Sequence, residues 1–162
     1  MFFKKYWLKI SNKENYYKYK NALSIEKKIE IFKINCEKQI KNIQKNLKNK
    51  KELSFLHSGH LGDILISLPV IKELSKTHKC NFYIESNKVI PIHIKNRKHS
   101  SGNVYLTEKN VEMILPLLKN QPYMQRVDKY TNQNIDIDLN LFREMPLNFN
   151  MDHVSGRWYS HV

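Results

Sequence analysis

One short segment of the chain combines glycines with side chains that could bind a ligand or move a proton. It consists of Ser58, Gly59, His60, Leu61, Gly62 and Asp63. Glycines let a ligand approach the backbone closely, and an aspartate can take a proton from a hydroxyl group. Apolar-rich runs precede and follow the segment, at 53–56 and 64–74. We therefore interpret it as a tight loop between a strand and a helix, whose unpaired N–H groups suit an anion or a sugar phosphate.

The spacing of these residues excludes several common motifs. No Gly-Lys-Ser/Thr follows the loop, as a Walker phosphate-binding loop requires, and Gly59-x-x-Gly62 is not the GxGxxG of dinucleotide-binding proteins. Ser58 is not in the Gly-x-Ser-x-Gly order of a nucleophile elbow. His57 and His60 lack an obvious third ligand. We therefore expect neither a bound metal nor a serine nucleophile here.

The surrounding pattern predicts an α/β domain that positions the loop. We expect strands at Leu53–His57, Cys80–Glu85, Asn103–Leu106, around Arg126-Val127 and at Ile135–Leu139, and helices at Asp63–Thr77 and Glu108–Lys119. Thr107 is a suitable cap for the second helix. Pro69 predicts a kink near Leu68 or a separate first turn, because proline has no N–H to donate. Parallel strands joined through a helix open a Rossmann-like, doubly wound sheet, in which ligands bind at the carboxyl ends of the strands.

Two carboxylates lie two positions apart in the last predicted strand. Because side chains alternate along a strand, Asp136 and Asp138 should share one face of the sheet. Paired carboxylates can do acid–base chemistry, but we favour the interpretation that this face is simply exposed to solvent.

Positive charge is concentrated in the N-terminal third of the chain. Residues 1–51 hold 15 lysines and 4 glutamates, a net charge of +11, whereas residues 52–162 carry only +2 of the total of +13. Residues 1–22 form a basic aromatic leader. Residues 24–49 predict an amphipathic helix capped by Ser24, with one apolar stripe. The stripe consists of Ile25, Ile29, Phe32, Cys36, Ile40, Ile43 and Leu47.

We expect this helix to pack on its own domain or on a sister chain, in preference to a lipid surface or nucleic acid. The chain then divides into the leader and helix at 1–51 and the Rossmann-like domain at 52–162. Cys36 and Cys80 are too far apart in sequence to suggest a disulfide framework and should be packed thiols. No apolar run reaches the roughly 20 residues of a membrane span. We therefore expect a cytoplasmic protein, with residues 1–51 able to contact the inner face of the membrane.

The loop and the following helix also resemble a known family. Gly62-Asp63 and Leu68-Pro69 match, in identity and spacing, the first loop and helix of glycosyltransferase family nine, the ADP-heptose:lipopolysaccharide heptosyltransferases. The resemblance implies the N-terminal half of a GT-B fold and an inverting transfer from a nucleotide-sugar to a saccharide or lipid-linked acceptor. Asp63 would be the catalytic base, Ser58 to Gly62 would line the substrate loop, and no cofactor or metal would be needed.

The chain departs from that family in two respects. About 52 residues precede the first strand, and the chain ends where the first GT-B domain would end. We therefore expect a missing C-terminal domain and poor donor binding by this chain alone. The alternatives are a non-catalytic Rossmann-like module docked by its basic helix to a membrane or partner, and a less well supported nucleic-acid-binding protein. Asp63 could also be an ordinary helix-start carboxylate, which contributes about 0.3–1 kcal/mol.

Overall fold

The computed structural model describes residues 7, 9, 11–90 and 102–143. Part of the basic aromatic leader, namely residues 1–6, 8 and 10, lies outside the described residues, as do residues 91–101 and 144–162. The described residues form α1 (Lys13–Asn49), β1 (Glu52–His57), α2 (Leu61–Leu74), β2 (Lys79–Ile84), α3 (Glu108–Lys119), β3 (Arg126–Lys129), β4 (Ile137–Asp138) and a 3₁₀ helix (Leu139–Arg143).

The four strands form one parallel sheet in the order β3-β2-β1-β4. β1 pairs along its whole length with β2, from Glu52 opposite Lys79 to His57 opposite Ile84. Both strands are buried almost throughout, as expected of a parallel sheet with both faces covered. The predicted α/β class with a parallel sheet is therefore confirmed. The strand order is that of the first half of a doubly wound sheet.

Helix α1 is longer than the sequence predicted. It begins at Lys13, where the side chain of Asn12 accepts a hydrogen bond from the Asn15 N–H at 3.0 Å. The prediction that Ser24 caps this helix is wrong, because Ser24 lies inside the helix. An asparagine cap satisfies one of the unpaired N–H groups of the first turn. The helix therefore starts at residue 13, eleven residues before the predicted start at residue 24.

Among the described side chains of α1, those that join the core of the domain lie in the second half of the helix. Cys36 and Ile43 belong to the buried core, whereas Ile25, on the same stripe, is 53% exposed. Polar contacts fix this half in place: the ring of His78 meets the Leu47 carbonyl at 2.9 Å, and the Asn46 amide donates to the Asp136 carbonyl at 3.3 Å. Packing of the helix on its own domain is therefore observed for its C-terminal half.

The helices that flank the sheet agree closely with their predicted positions. α2 runs through Pro69 as one continuous helix, so the predicted separate first turn is not observed. α3 has the predicted bounds, and Thr107 caps it by accepting a hydrogen bond from the Asn110 N–H at 3.2 Å. The buried face of α3 consists of Val111, Ile114, Leu115 and Leu118.

Two predicted strands differ from the structure. Residues Asn103–Leu106 form no strand of the sheet; Val104 makes a single antiparallel bridge to Val89, next to a turn in which Gly102 has a φ of 69°. β4 is only two residues long, because the chain turns directly into the 3₁₀ helix after Asp138. That helix buries Leu139, Leu141 and Phe142, and the sequence pattern did not predict it.

A pair of alanine substitutions on α1 tests the division between its packed and exposed halves. We expect Ile43→Ala to lower the free energy of unfolding by about 2–4 kcal/mol, because it leaves a cavity in the core. Ile25→Ala removes the same atoms from an exposed site and should change the free energy of unfolding by no more than about 0.5 kcal/mol. Urea denaturation followed by circular dichroism measures both. Equal losses for the two variants would contradict the proposed packing.

Candidate functional site

The predicted loop lies where the order of the strands reverses. The chain passes from β1 to β2 and β3 on one side of the sheet, then crosses to β4 on the other side of β1. Crevices of this kind, outside the carboxyl ends of the strands, are where open α/β sheets bind ligands. The loop at 58–60 follows β1 and the 3₁₀ helix follows β4, so both reach the same edge of the sheet.

Asp63 makes an ion pair across this crevice. Its Oδ2 atom accepts a hydrogen bond from Nη2 of Arg143 at 2.7 Å and another from the His60 N–H at 3.2 Å. The side chains of Asp63 and Arg143 are 20% and 19% exposed, so the pair is partly shielded from water. Shielding strengthens the attraction between two charges relative to an exposed pair.

Several groups hold the guanidinium of Arg143. Its Nη1 atom donates to Oδ1 of Asn140 at 2.8 Å. Its central carbon lies 4.7 Å from the centre of the Tyr105 ring and 4.4 Å from that of Phe142, within the range of cation–π attraction. Arg143 therefore presents a fixed cation to Asp63.

Asn140 extends the contacts back to the strands. Its Oδ1 atom also accepts a hydrogen bond from the Ser58 N–H at 2.9 Å. Its backbone N–H and its Nδ2 atom both donate to Oδ1 of Asp138, at 2.9 and 2.6 Å. A continuous series of side-chain contacts thus joins Asp138, Asn140, Arg143 and Asp63, which we call the Asp138–Asp63 network.

The glycines of the loop have different surroundings. A Cβ atom at Gly59 would collide with the Arg143 guanidinium, and would lie 2.5 Å from Cε1 of His57 and 2.8 Å from Oδ2 of Asp63. The Asp63–Arg143 pair therefore requires glycine at position 59. A Cβ atom at Gly62 would meet nothing within 4 Å, and this residue lies exposed in the first turn of α2.

The other three residues of the predicted site lie around Gly59. Ser58 is only 1% exposed, and its Oγ has no hydrogen-bond partner within the part of the chain that the structure describes. The His60 ring meets the Tyr105 carbonyl through Nδ1 at 3.0 Å and packs edge-on against the Tyr105 ring. Leu61 is half-buried and packs against the core. Asp63, Gly59 and Ser58 thus lie at the crevice, whereas Leu61 serves the core.

Two further histidine and cysteine predictions can be compared with the structure. The described residues contain no group of three histidine, cysteine, aspartate or glutamate side chains that could hold a metal ion. Cys36 and Cys80 are buried thiols, as predicted. Burial raises the pKa of Cys80 to about 11, which keeps this thiol protonated and unreactive near neutral pH.

His57 is a fully buried polar residue beside the crevice. The Gly59 N–H donates to its Nδ1 atom at 2.8 Å, so this nitrogen carries no proton and the neutral ring is protonated at Nε2. Burial lowers the pKa of His57 well below its ordinary value, and the nearby Arg143 cation lowers it further. A hydrogen bond to the backbone of Asp63 opposes these effects without cancelling them. His57 is therefore a neutral hydrogen-bond acceptor that shapes the loop.

Sequence reasoning missed Tyr105, Asn140 and Arg143. Arg143 reaches Asp63 across 80 positions of sequence, and no local periodicity reports such a distance. One feature of the sequence could have identified Asn140 as a site residue. It directly follows a predicted strand, and a polar residue in that position lies near the carboxyl edge of a parallel sheet, where ligands bind. Asp136 was expected on an exposed face, but its side chain is only 8% exposed because Lys50 and the backbone of Ser54 bind it.

No known protein family, curated protein or solved structure matches this chain significantly. Among the described residues, no helix combines the length and the apolar character needed to cross a membrane. The arrangement at the crevice can orient a carboxylate and present a guanidinium. It therefore suits proton abstraction from a polar ligand or binding of such a ligand.

The buried His57 predicts a specific dependence of stability on pH. The unfolded chain binds a proton at this residue near pH 6.5, while the folded chain resists protonation. The unfolded state therefore binds more protons in this window, and the free energy of unfolding should fall by up to about 1.4 kcal/mol per pH unit as pH drops from 6.5 towards 5. Denaturation curves recorded across this range measure the slope.

Two glutamine variants separate His57 from other groups. His57→Gln keeps an oxygen that can accept the Gly59 N–H, and it should flatten the slope between pH 6.5 and 5. His78→Gln leaves the buried ring intact and should keep the slope. If His57→Gln does not fold, the ring protons of His57 in the NMR spectrum of the unaltered protein report its titration directly. A ring that titrates near pH 6.5 in the folded protein would contradict the assignment.

Proposed function

We propose that the protein is the acceptor-side half of an inverting glycosyltransferase and acts on a saccharide or lipid-linked acceptor. The observation that carries the proposal is the Asp63 carboxylate, held by Arg143 at the reversal point of a parallel sheet. The match of Gly62-Asp63 and Leu68-Pro69 to glycosyltransferase family nine supports the same assignment. In the GT-B arrangement a second domain binds the nucleotide-sugar.

The proposed reaction needs one base and no metal. The Asp63 carboxylate takes the proton from an acceptor hydroxyl while the oxygen of that hydroxyl forms a bond to the anomeric carbon of the donor. The bond between that carbon and the diphosphate oxygen breaks, and the nucleoside diphosphate leaves with the electron pair. Attack from the side opposite the leaving group inverts the configuration at the anomeric carbon.

Arg143 and the loop residues have positioning roles in this proposal. Arg143 fixes the direction of the Asp63 carboxylate through the 2.7 Å contact to Oδ2. Gly59 leaves room for the Arg143 guanidinium beside Asp63, and Ser58 and His60 flank it on the loop. Holding a base and a reacting hydroxyl in a fixed geometry removes much of the entropic cost of the reaction.

Substitution of Asp63 tests the proposed base. Asp63→Asn keeps an oxygen that can accept the hydrogen bond from Arg143, so the variant should fold, but it cannot take a proton. We expect transfer to fall by about 10²- to 10⁴-fold, the usual contribution of a general base. Release of nucleoside diphosphate from a panel of nucleotide-sugars measures the rate. Saccharide acceptors and a nucleotide-sugar-binding C-terminal domain are both supplied, because this chain alone should bind the donor poorly.

Asp128→Asn is the matched control, because Asp128 lies at β3 and pairs with Arg126 at 3.3 Å. This variant should turn over like the unaltered protein. Unchanged turnover in Asp63→Asn would remove Asp63 from the mechanism. Absence of transfer from every donor in the panel, with a nucleotide-sugar-binding C-terminal domain present, would refute the glycosyltransferase assignment.

The N-terminal half of α1 favours a second proposal, that the protein docks on an anionic membrane surface. This half exposes Tyr17, Ile25, Ile29 and Ile31, and Ile34, just beyond it, is exposed as well. Lysines lie among these side chains at 18, 20 and 27, and residues 1–51 carry a net charge of +11. Apolar side chains next to lysines are typical of helices that lie in the interface of anionic bilayers. A non-catalytic module docked in this way is the alternative to the enzyme.

Vesicle co-sedimentation tests this second proposal. We expect binding to vesicles that contain phosphatidylglycerol and none to phosphatidylcholine alone. Replacing Lys18, Lys20 and Lys27 by glutamate should weaken binding by at least about a hundredfold, because each lysine near an anionic surface contributes about 1 kcal/mol. The same replacement at the exposed Lys72, Lys76 and Lys119 changes net charge equally and should have a smaller effect. If both triple variants lose vesicle binding equally, the net positive charge of the protein alone causes the binding, and the N-terminal half of α1 is not a specific docking surface.

A further inference from the structure

A groove of about 530 Å³ lies between the packed half of α1 and the β1–β4 side of the sheet. Its lining includes Asn42, Lys45 and Lys50 from the helix side and Leu56, Tyr130 and Asp138 from the sheet side. We propose that this groove is a binding site for a neutral saccharide. The inference rests on the proposed function, in which the acceptor is a saccharide: its reacting hydroxyl would lie at Asp63, and the groove would hold another sugar unit of the same acceptor.

The charges of the groove determine the class of ligand. Lys45 and Lys50 supply two cations, and Asp136 and Asp138 supply two carboxylates, so the lining has no net charge. A phosphate group or a divalent cation would meet one repulsive pair for each attractive pair. A hydroxyl group both donates and accepts hydrogen bonds, so it can use ammonium, amide and carboxylate groups together. Several hydroxyls on one neutral molecule therefore fit this lining best.

Not all of these polar groups are available to a ligand. Asp136 is committed to the fold, because Lys50 pairs with its Oδ1 atom and the Ser54 N–H donates to its Oδ2 atom at 3.0 Å. Asp138 uses only Oδ1 for both contacts with Asn140, which leaves Oδ2 without a partner among the described residues. Asn42 and Lys45 are exposed side chains of α1 and likewise bond to no described residue. An amide, an ammonium and a carboxylate oxygen thus remain for the ligand.

The size and the apolar part of the groove also suit a sugar. A volume of about 530 Å³ lies within the range of small-molecule sites and exceeds what one monosaccharide needs. Leu56 and Ile43 contribute apolar surface, and Tyr130 contributes an aromatic ring that could contact the C–H groups of a sugar ring. The groove thus combines hydrogen-bonding groups with a smaller apolar area, and a sugar ring presents both hydroxyl groups and C–H surface to its surroundings.

The groove is joined to the crevice by the Asp138–Asp63 network. Asp138 pairs with Leu56 in the sheet register, one residue before β1 ends. Contacts then pass through Asn140 to Arg143 and Asp63, each at 2.6–2.8 Å between side chains. A ligand that bonds to Oδ2 of Asp138 is therefore connected, through the side chains of Asn140 and Arg143, to the proposed base Asp63.

Amide NMR spectra of the full chain test the proposal. The probes are glucose, galactose, mannose, N-acetylglucosamine and lactose at millimolar concentration, with glycerol and inorganic phosphate for comparison. We expect at least one saccharide to shift amide signals of groove residues in a saturable way, and glycerol and phosphate not to do so. Asn42→Ala should weaken binding about three- to tenfold, as expected for the loss of one hydrogen bond.

Asn21→Ala is the matched control, since Asn21 is exposed on the same helix outside the groove. It should leave saccharide binding unchanged. The proposal is overturned if no saccharide shifts the groove signals, if glycerol or phosphate shifts them equally, if the shifts are confined to residues 58–63, or if both variants weaken binding alike.

The outcomes for the groove and for the enzyme are separable. Saccharide binding in the groove, without any transfer when a donor-binding C-terminal domain is supplied, would keep the groove and refute the glycosyltransferase assignment. Transfer that depends on Asp63 but proceeds normally in Asn42→Ala, with no groove shifts, would keep the enzyme and overturn the groove.

Discussion

The ion pair between Arg143 and Asp63 is the contact on which the candidate site depends. It ties the 3₁₀ helix after β4 to the first turn of α2, across 80 positions of sequence. Breaking a buried ion pair costs about 3–5 kcal/mol, and an exposed pair is worth about 1 kcal/mol or less. With about a fifth of each side chain exposed, this pair lies between those limits. Its neighbours accommodate it: position 59 must be glycine, and the rings of Tyr105 and Phe142 pack against the guanidinium.

The sequence predicted the parts of the fold that are set by local pattern. β1, α2, β2 and α3 were found because a buried parallel strand is a short apolar run and a helix has its own apolar spacing and cap. Thr107 illustrates this, since its cap needs only the residues that follow it. Ser24 shows the limit: a residue that can cap a helix does so only where the helix starts, and Asn12 starts this one.

The parts set by distant contacts could not be predicted in this way. β4 has two residues and pairs with the centre of β1, so its position depends on the sheet more than on its own sequence. Asp136 looks exposed in an alternating strand, yet Lys50 and Ser54 cover it. Arg143 is an unremarkable basic residue in the sequence, and only the fold gives it a partner. The sequence therefore predicted only part of the candidate site. The loop could be found because it has a local sequence pattern, whereas the groups that face the loop have none.

Asp63 was interpreted from the sequence either as a catalytic base or as an ordinary helix-start carboxylate, and the two roles are compatible in this fold. The carboxylate accepts the His60 N–H, as a helix-start residue does, and a helix start needs nothing more. The additional pairing with Arg143, and the burial of Ser58 with no described partner for its Oγ, are beyond what a helix start requires.

Helix α1 cannot be treated as a separable arm, although the charge distribution alone suggests one. Its second half contributes Cys36 and Ile43 to the core, and Lys50, just after it, covers Asp136. The same half forms one wall of the groove, whereas the first half projects its apolar and basic side chains into solvent. Removing residues 1–51 would therefore expose core atoms and dismantle the groove. A loss of function in such a truncation would not show that the basic segment binds a membrane or nucleic acid, and only substitutions confined to the exposed half of α1 can address its role.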